Sequence, residues 1–141
     1  QIEIRIVGHR LNMDHLAELC DTLLQSGIRI HVVNFIAMEM NGSAARNREL
    51  LWVDYKAFFE KAKPIIRRLI HHGIDVGLYD FPLCAVEPAY WPLAKKSITG
   101  WKVRYPEGCA QCDEKAACGG IFRSTALLGL CPVYPIKYKE K

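Results

Sequence analysis

At 141 residues, half of them apolar, the chain is long enough for one domain, or one domain with a small appendage, around a modest core. Its net charge of +4 is scattered and contains no long run of like charge, which gives no footing for a nucleic-acid reading. No apolar stretch reaches membrane-span length and no signal-peptide pattern opens the chain, so the expected setting is cytoplasmic. The chain starts at Gln1 and runs almost at once into a strand, which reads as a piece of a longer open reading frame.

Ile2-Glu3-Ile4-Arg5-Ile6-Val7 alternates apolar and polar residues and is predicted to be a strand, ending at Gly8-His9-Arg10. Asn12 or Asp14 then caps a helix whose apolar face is Leu16, Leu19, Cys20, Leu23 and Leu24, closed by Gly27. Ile28 to Ile36 is a second strand, followed by a long irregular connection from Ala37 to Val53. Asp54 caps the next helix, with Tyr55, Phe58, Phe59, Ala62, Ile66, Leu69 and Ile70 on one face, Pro64 inside it and Gly73 at its end. Ile74 to Tyr79 is a third strand.

This alternation predicts an α/β fold with a parallel sheet, and the stretch before Phe81 reads as the remainder of an α/β barrel. Working residues in such folds follow the carboxyl ends of the strands. Those places are Gly8-His9-Arg10, the Ala37–Val53 connection, and Asp80 to Cys84. After Phe81 prolines recur and periodicity fades, with only Pro88 to Trp101 hinting at helix. Residues 1–80 are therefore expected to form the barrel part and 81–141 a small cysteine-rich module.

Cys109, Cys112 and Cys118 form a C-x2-C-x5-C run followed by Gly119-Gly120, and Cys84 stands upstream in Phe81-Pro82-Leu83-Cys84. The x2 spacing lets one tight turn present two sulfurs to a single centre, and thiolates suit iron–sulfur clusters or zinc. The glycine pair permits backbone amides to face sulfur. Cys84, Cys109, Cys112 and Cys118 are the expected metal ligands, with Cys131 as the alternative to Cys84. Cys20, on the apolar face of its helix, reads as core. Three disulfides would suit a small loop-rich secreted domain, which the α/β pattern argues against. A thioredoxin-like use of Cys109 and Cys112 needs a strand-to-helix setting that Pro106-Glu107-Gly108 does not provide.

Several stretches together resemble the C-terminal part of radical S-adenosylmethionine (SAM) enzymes. They are Phe81-Pro82-Leu83-Cys84, Tyr90-Trp91-Pro92-Leu93-Ala94, Lys96 to Lys102, and the C-x2-C-x5-C-G-G element. Met38-Glu39-Met40-Asn41-Gly42, Ala45-Arg46-Asn47 and Leu51-Trp52-Val53-Asp54 extend the likeness over nearly the whole chain, and it is nearest to the C-type radical SAM maturases of His-Xaa-Ser systems. The C-x2-C-x5-C element alone is shared more widely, by the SPASM and twitch extensions of peptide-modifying enzymes.

The resemblance implies a partial (β/α)6 TIM-like barrel, here its fourth to sixth strands, joined to a module that holds an auxiliary [4Fe–4S] cluster on Cys84, Cys109, Cys112 and Cys118. It implies a parent enzyme that uses SAM and a second [4Fe–4S] cluster for radical chemistry on a ribosomally made peptide of His-Xaa-Ser repeat type. A partner maturase and an electron donor are implied beside it. By position, Arg5, His9 and Glu39 are candidate SAM contacts, although Arg5 can pair with Glu3, His9 can serve a turn and Glu39 can cap a helix. Trp91 and Trp101 are expected in the core of the small module. The C-x3-C-x2-C loop that holds the radical-forming cluster does not occur in this sequence, so the chain by itself is expected to be inactive. The competing reading is a zinc-stapled structural or protein-binding module without catalysis.

Overall fold

The computed structural model describes residues 1–138. The last residues of the 81–141 segment lie outside the described part. Strands β1 (Ile2–Gly8), β2 (Ile30–Ala37), β3 (Asp75–Tyr79) and β4 (Ala94–Lys95) form a four-stranded sheet in sequential order, every pair parallel. Helix α1 (Leu16–Gln25) connects β1 to β2. Helices α2 (Gly42–Arg46), α3 (Arg48–Leu51) and α4 (Tyr55–His71) lie between β2 and β3. The fold is therefore α/β, as the alternation predicted.

Side-chain period two decides the two faces of the sheet. Ile6, Val33, Phe35, Val76 and Leu78 are buried in one core with Leu16 and Cys20 of α1 and Phe58, Phe59, Ala62, Ile66 and Leu69 of α4. α1 and α4 touch each other on that face. The opposite face carries Glu3 and Arg5 on β1, Asn34 on β2 and Gly77 on β3. The register places Arg5 beside Asn34 and Asn34 beside Gly77. A side chain at Gly77 would run into the Asn34 amide, which is why glycine stands there. Asn34 is buried and donates to the Glu3 carboxylate at 2.7 Å.

Several local expectations need correction. Neither Asn12 nor Asp14 caps α1. The cap position is His15, and Asn12 instead folds the turn after β1, accepting from His9 N–H at 3.0 Å and donating to the Val7 carbonyl at 2.8 Å. The Ala37–Val53 connection is not irregular throughout, since α2 and α3 occupy much of it. Arg10 spans its end, donating to the carbonyls of Trp52 and Glu49. Asp54 does cap α4, accepting from the amides of Lys56 and Ala57. Pro64 neither kinks the helix into two elements nor ends it. It sits on the exposed side, where a missing amide costs a backbone bond but no core packing. Ile70 falls outside the buried stripe at 47% exposure.

The segment after β3 is more ordered than its fading periodicity predicted. Pro88 to Leu93 forms a 3-10 helix that returns the chain to the sheet as β4, a strand too short for any pattern to reveal. Val103–Arg104 (β5) then pairs antiparallel with Ile121–Phe122 (β6), which leads into the short helix α5 (Arg123–Leu127). Thr125 of α5 is fully buried and its hydroxyl accepts the Met40 amide at 3.1 Å, tying this segment to the loop beyond β2. Trp91 packs against the core and donates to the carbonyls of Leu83 and Val86. Trp101 is not core. It is 73% exposed, with the Lys102 ammonium 5.3 Å from its ring centre.

No helix among the described residues is long and apolar enough to cross a membrane.

Candidate metal centre

Cys84 lies in a 3-10 turn, Leu83–Ala85, a few residues past the carboxyl end of β3. Cys109 lies inside a second such turn, Glu107–Gln111, and Cys112 caps it. Cys118 stands just before the Gly119-Gly120 pair that feeds β6. Although far apart in sequence, all four sulfur-bearing residues line one cavity. Arg104, Tyr105, Pro106, Glu114, Lys115 and the stretch Val133 to Ile136 are among its other lining residues.

Backbone amides face the sulfurs. Cys118 Sγ accepts from Leu83 N–H and from Gly120 N–H, both at 3.4 Å, and Cys112 Sγ accepts from Ile136 N–H at 3.4 Å. The Cys84 thiol meets the Tyr134 backbone N–H. Gly120 takes a left-handed φ of +74°, and a Cβ there would lie 2.6 Å from Val103 Cγ2 and 3.0 Å from the Arg104 carbonyl. The position therefore demands glycine on both conformational and steric grounds. The expectation that the glycine pair turns amides toward sulfur holds at Gly120.

The C-terminal tail is the contribution that sequence reasoning missed. Asp113 N–H donates to the Ile136 carbonyl at 2.9 Å, and Tyr138 N–H donates to the Asp113 carboxylate at 2.7 Å. These bonds fold Val133–Ile136 over the cavity. Nothing in Val133-Tyr134-Pro135-Ile136 signals this, because the contribution is made by amides that every residue carries.

Burial pushes the Cys84 and Cys109 thiols up, and the neighbouring cysteines push in the same direction. The Lys115 ammonium works in the opposite direction on Cys109. All six cysteines are free thiols. Among the described residues no three His, Cys, Asp or Glu side chains converge tightly enough to hold a single metal ion. The donor set of four thiols, with amides directed at them, fits an iron–sulfur cluster in chemistry. Cys131 lines a neighbouring cleft with Leu130, Pro132 and Val133 rather than the four-cysteine cavity. It is buried, with a left-handed φ of 62°, and burial pushes its thiol far up. Cys20 is buried between α1 and the sheet, as expected.

The candidate SAM contacts are not gathered around one cavity. Arg5 lines a cleft on the helix-free face with Glu3, Asn34, Tyr79 and Lys95, and its guanidinium pairs with Glu3 at 2.7 Å. That pairing lowers the Glu3 carboxyl below its ordinary range. His9 follows β1, and its Nδ1 is buried without a hydrogen-bond partner. Glu39 follows β2. Its carboxylate accepts from Lys102 Nζ at 3.0 Å and from the Ser124 hydroxyl at 3.4 Å.

Asp80, the first residue after β3, belongs to the same rim. It takes a left-handed φ of 66°, accepts the Ser97 hydroxyl at 2.5 Å, and burial raises its carboxyl pKa, with the Glu39 charge adding to the rise. The place was legible as a strand end, but the residue's strained backbone was not. His15, His31, His71 and His72 are all exposed. Compared with protein-family models, curated proteins and solved structures, the chain matches none.

Proposed function

We propose that this chain is part of a radical SAM peptide or protein maturase, and that Cys84, Cys109, Cys112 and Cys118 hold an auxiliary [4Fe–4S] cluster. The observation that carries the reading is the meeting of four thiols from two distant stretches at one cavity, with backbone amides aimed at the sulfurs of Cys112 and Cys118. Amide–sulfur hydrogen bonds of this kind are a lever on cluster potential.

The sheet supports the same reading. Sequential parallel strands with both long helices on one face follow the pattern of a barrel wall, and the polar opposite face is then the barrel interior. β1 carries a partner strand on one edge only, so further strands can continue the wall. The carboxyl ends of β1, β2 and β3 present His9, Glu39 and Asp80, and a bound peptide would lie along that rim. Arg5, His9 and Glu39 are proposed as SAM contacts in the parent enzyme. Lacking a C-x3-C-x2-C loop, these residues are assigned cluster binding and substrate positioning, while the radical-forming step belongs to the parent.

Anaerobic reconstitution with iron and sulfide, in competition with zinc, tests the reading. The expected product is brown, holds about four iron and four sulfide per chain, and keeps them against added zinc. Stoichiometric zinc with iron refused would overturn the cluster and leave a zinc-stapled scaffold.

A further inference from the structure

We propose that Val133–Ile136 is a hinged strap that must swing away for the four-cysteine cavity to be loaded, and that Asp113 latches it shut. The motion belongs to the chain alone, while the claim that the strap admits iron and sulfide rests on the cluster reading. The cavity beneath the strap encloses about 20 Å³, room for about one water molecule. Anything larger enters only when a wall moves.

Most of the walls are fixed. Ile121 of β6 is 1% exposed and Leu83 is 6% exposed. Gly120 is boxed in by Val103 and the Arg104 carbonyl. The Glu107–Gln111 turn carries Cys109, so moving it would dismantle the site rather than open it. The strap differs. Tyr134 and Pro135 are exposed, and Val133 and Ile136 are half-buried. Its backbone nevertheless covers two of the four sulfurs. Ile136 N–H donates to Cys112 Sγ at 3.4 Å, and Tyr134 N–H meets Cys84. Cys84 and Ile136 also line a surface cleft of about 260 Å³ beside α4, so they form the partition between that cleft and the cavity.

The strap is stiff and has a hinge. Pro132 and Pro135 fix two φ angles, and left-handed φ values at Gly129 and Cys131 turn the chain just before it. Cys131 is buried and anchors that end. The other end is held at the surface. Asp113 N–H donates to the Ile136 carbonyl at 2.9 Å. The Asp113 carboxylate accepts from Tyr138 N–H at 2.7 Å and faces Lys137 Nζ at 3.6 Å, while the Tyr138 hydroxyl meets Glu114. Exposed bonds of this kind are individually weak and open locally without unfolding a sheet. Asp113 directly follows Cys112, so a filled site that holds Cys112 also fixes the latch and closes the strap behind what has entered.

The test begins with the reduced, metal-free chain. Maleimide labelling of each cysteine is timed by mass spectrometry, in the unaltered chain and in Asp113→Ala. The variant is expected to label Cys84 and Cys112 roughly tenfold faster. Cys118, whose amide partners are Leu83 and Gly120, should change less, and Cys20 should not change. Tyr138→Phe should act in the same direction more weakly. Lys61→Ala, which breaks an exposed pair with Asp14 away from the strap, should behave as the unaltered chain. After reconstitution with iron and sulfide, Asp113→Ala should hold the same iron but release it to a ferrous chelator roughly tenfold faster. Unchanged labelling of Cys84 and Cys112 in Asp113→Ala overturns the strap, as does equal acceleration at Cys20, which marks a general loosening. Iron released at the unaltered rate overturns the gating of the loaded site. Faster labelling in a chain that takes up no iron supports the strap and removes the cluster.

Discussion

Asp80 combines a left-handed backbone, half-burial and a raised carboxyl pKa at the end of a strand. Because its folded pKa lies above the unfolded one, the fold binds this proton more tightly than the open chain does. The stability it contributes is fully present below the unfolded value and is lost as pH rises through the folded one. Asparagine tolerates the left-handed region and still accepts the Ser97 hydroxyl. Asp80→Asn is therefore expected to be the more stable chain at neutral pH, by less than about 1 kcal/mol after solvent screening. The difference should vanish as pH falls below the ordinary Asp range near 4. Denaturant melts at several pH values check this, and a pH-independent difference would contradict it. The cysteines divide in the same residue-level way. Cys84→Ala should lose most of the bound iron, since Cys84 lines the cavity. Cys131→Ala should keep the iron and lose about 1–2 kcal/mol of stability from its buried site, read by iron assay beside thermal melts.

At the scale of elements, α4 and the turn before β6 give opposite expectations. Pro64 removes one backbone bond from a helix that otherwise runs unbroken from Tyr55 to His71. Pro64→Ala should stabilise the chain by about 1–3 kcal/mol, visible as a higher denaturation midpoint with an unchanged slope. Gly120→Ala should cost about 2–3 kcal/mol and lower cluster retention, because its Cβ meets Val103 and the amide facing Cys118 must move. The long elements were legible in the sequence because α1, α4, β1, β2 and β3 each carry enough apolar residues for a period to register. β4 was not, since two residues have no period and their pairing with β3 is decided by the 3-10 helix before them. α2 and α3 were missed for a similar reason. They bury no residue, so no apolar stripe announces them. Trp101 read as core because tryptophan usually is, but the turn at Thr99–Gly100 places it outside.

Over the whole molecule, a parallel sheet ends in a polar rim, and the chain beyond it folds back to enclose four thiols. Cys84 belongs to the turn after β3, and the other three belong to the segment around β5 and β6, so the cavity ties the two stretches together. The cysteine spacing made three of these residues legible as a group. Cys84 was legible only through its place after a strand, and the tail that closes the cavity through Tyr134 and Ile136 was not legible at all. Metal removal by a chelator is expected to loosen this closure first, raising amide exchange in Val133–Ile136 before the sheet opens. The decisive experiment is X-ray absorption at the iron edge of the reconstituted chain. Iron should stand in an all-sulfur shell with a short iron–iron vector, and both should be lost when Cys84 is replaced. Iron bound through oxygen or nitrogen without that vector, or a spectrum unmoved by Cys84→Ala, would contradict it.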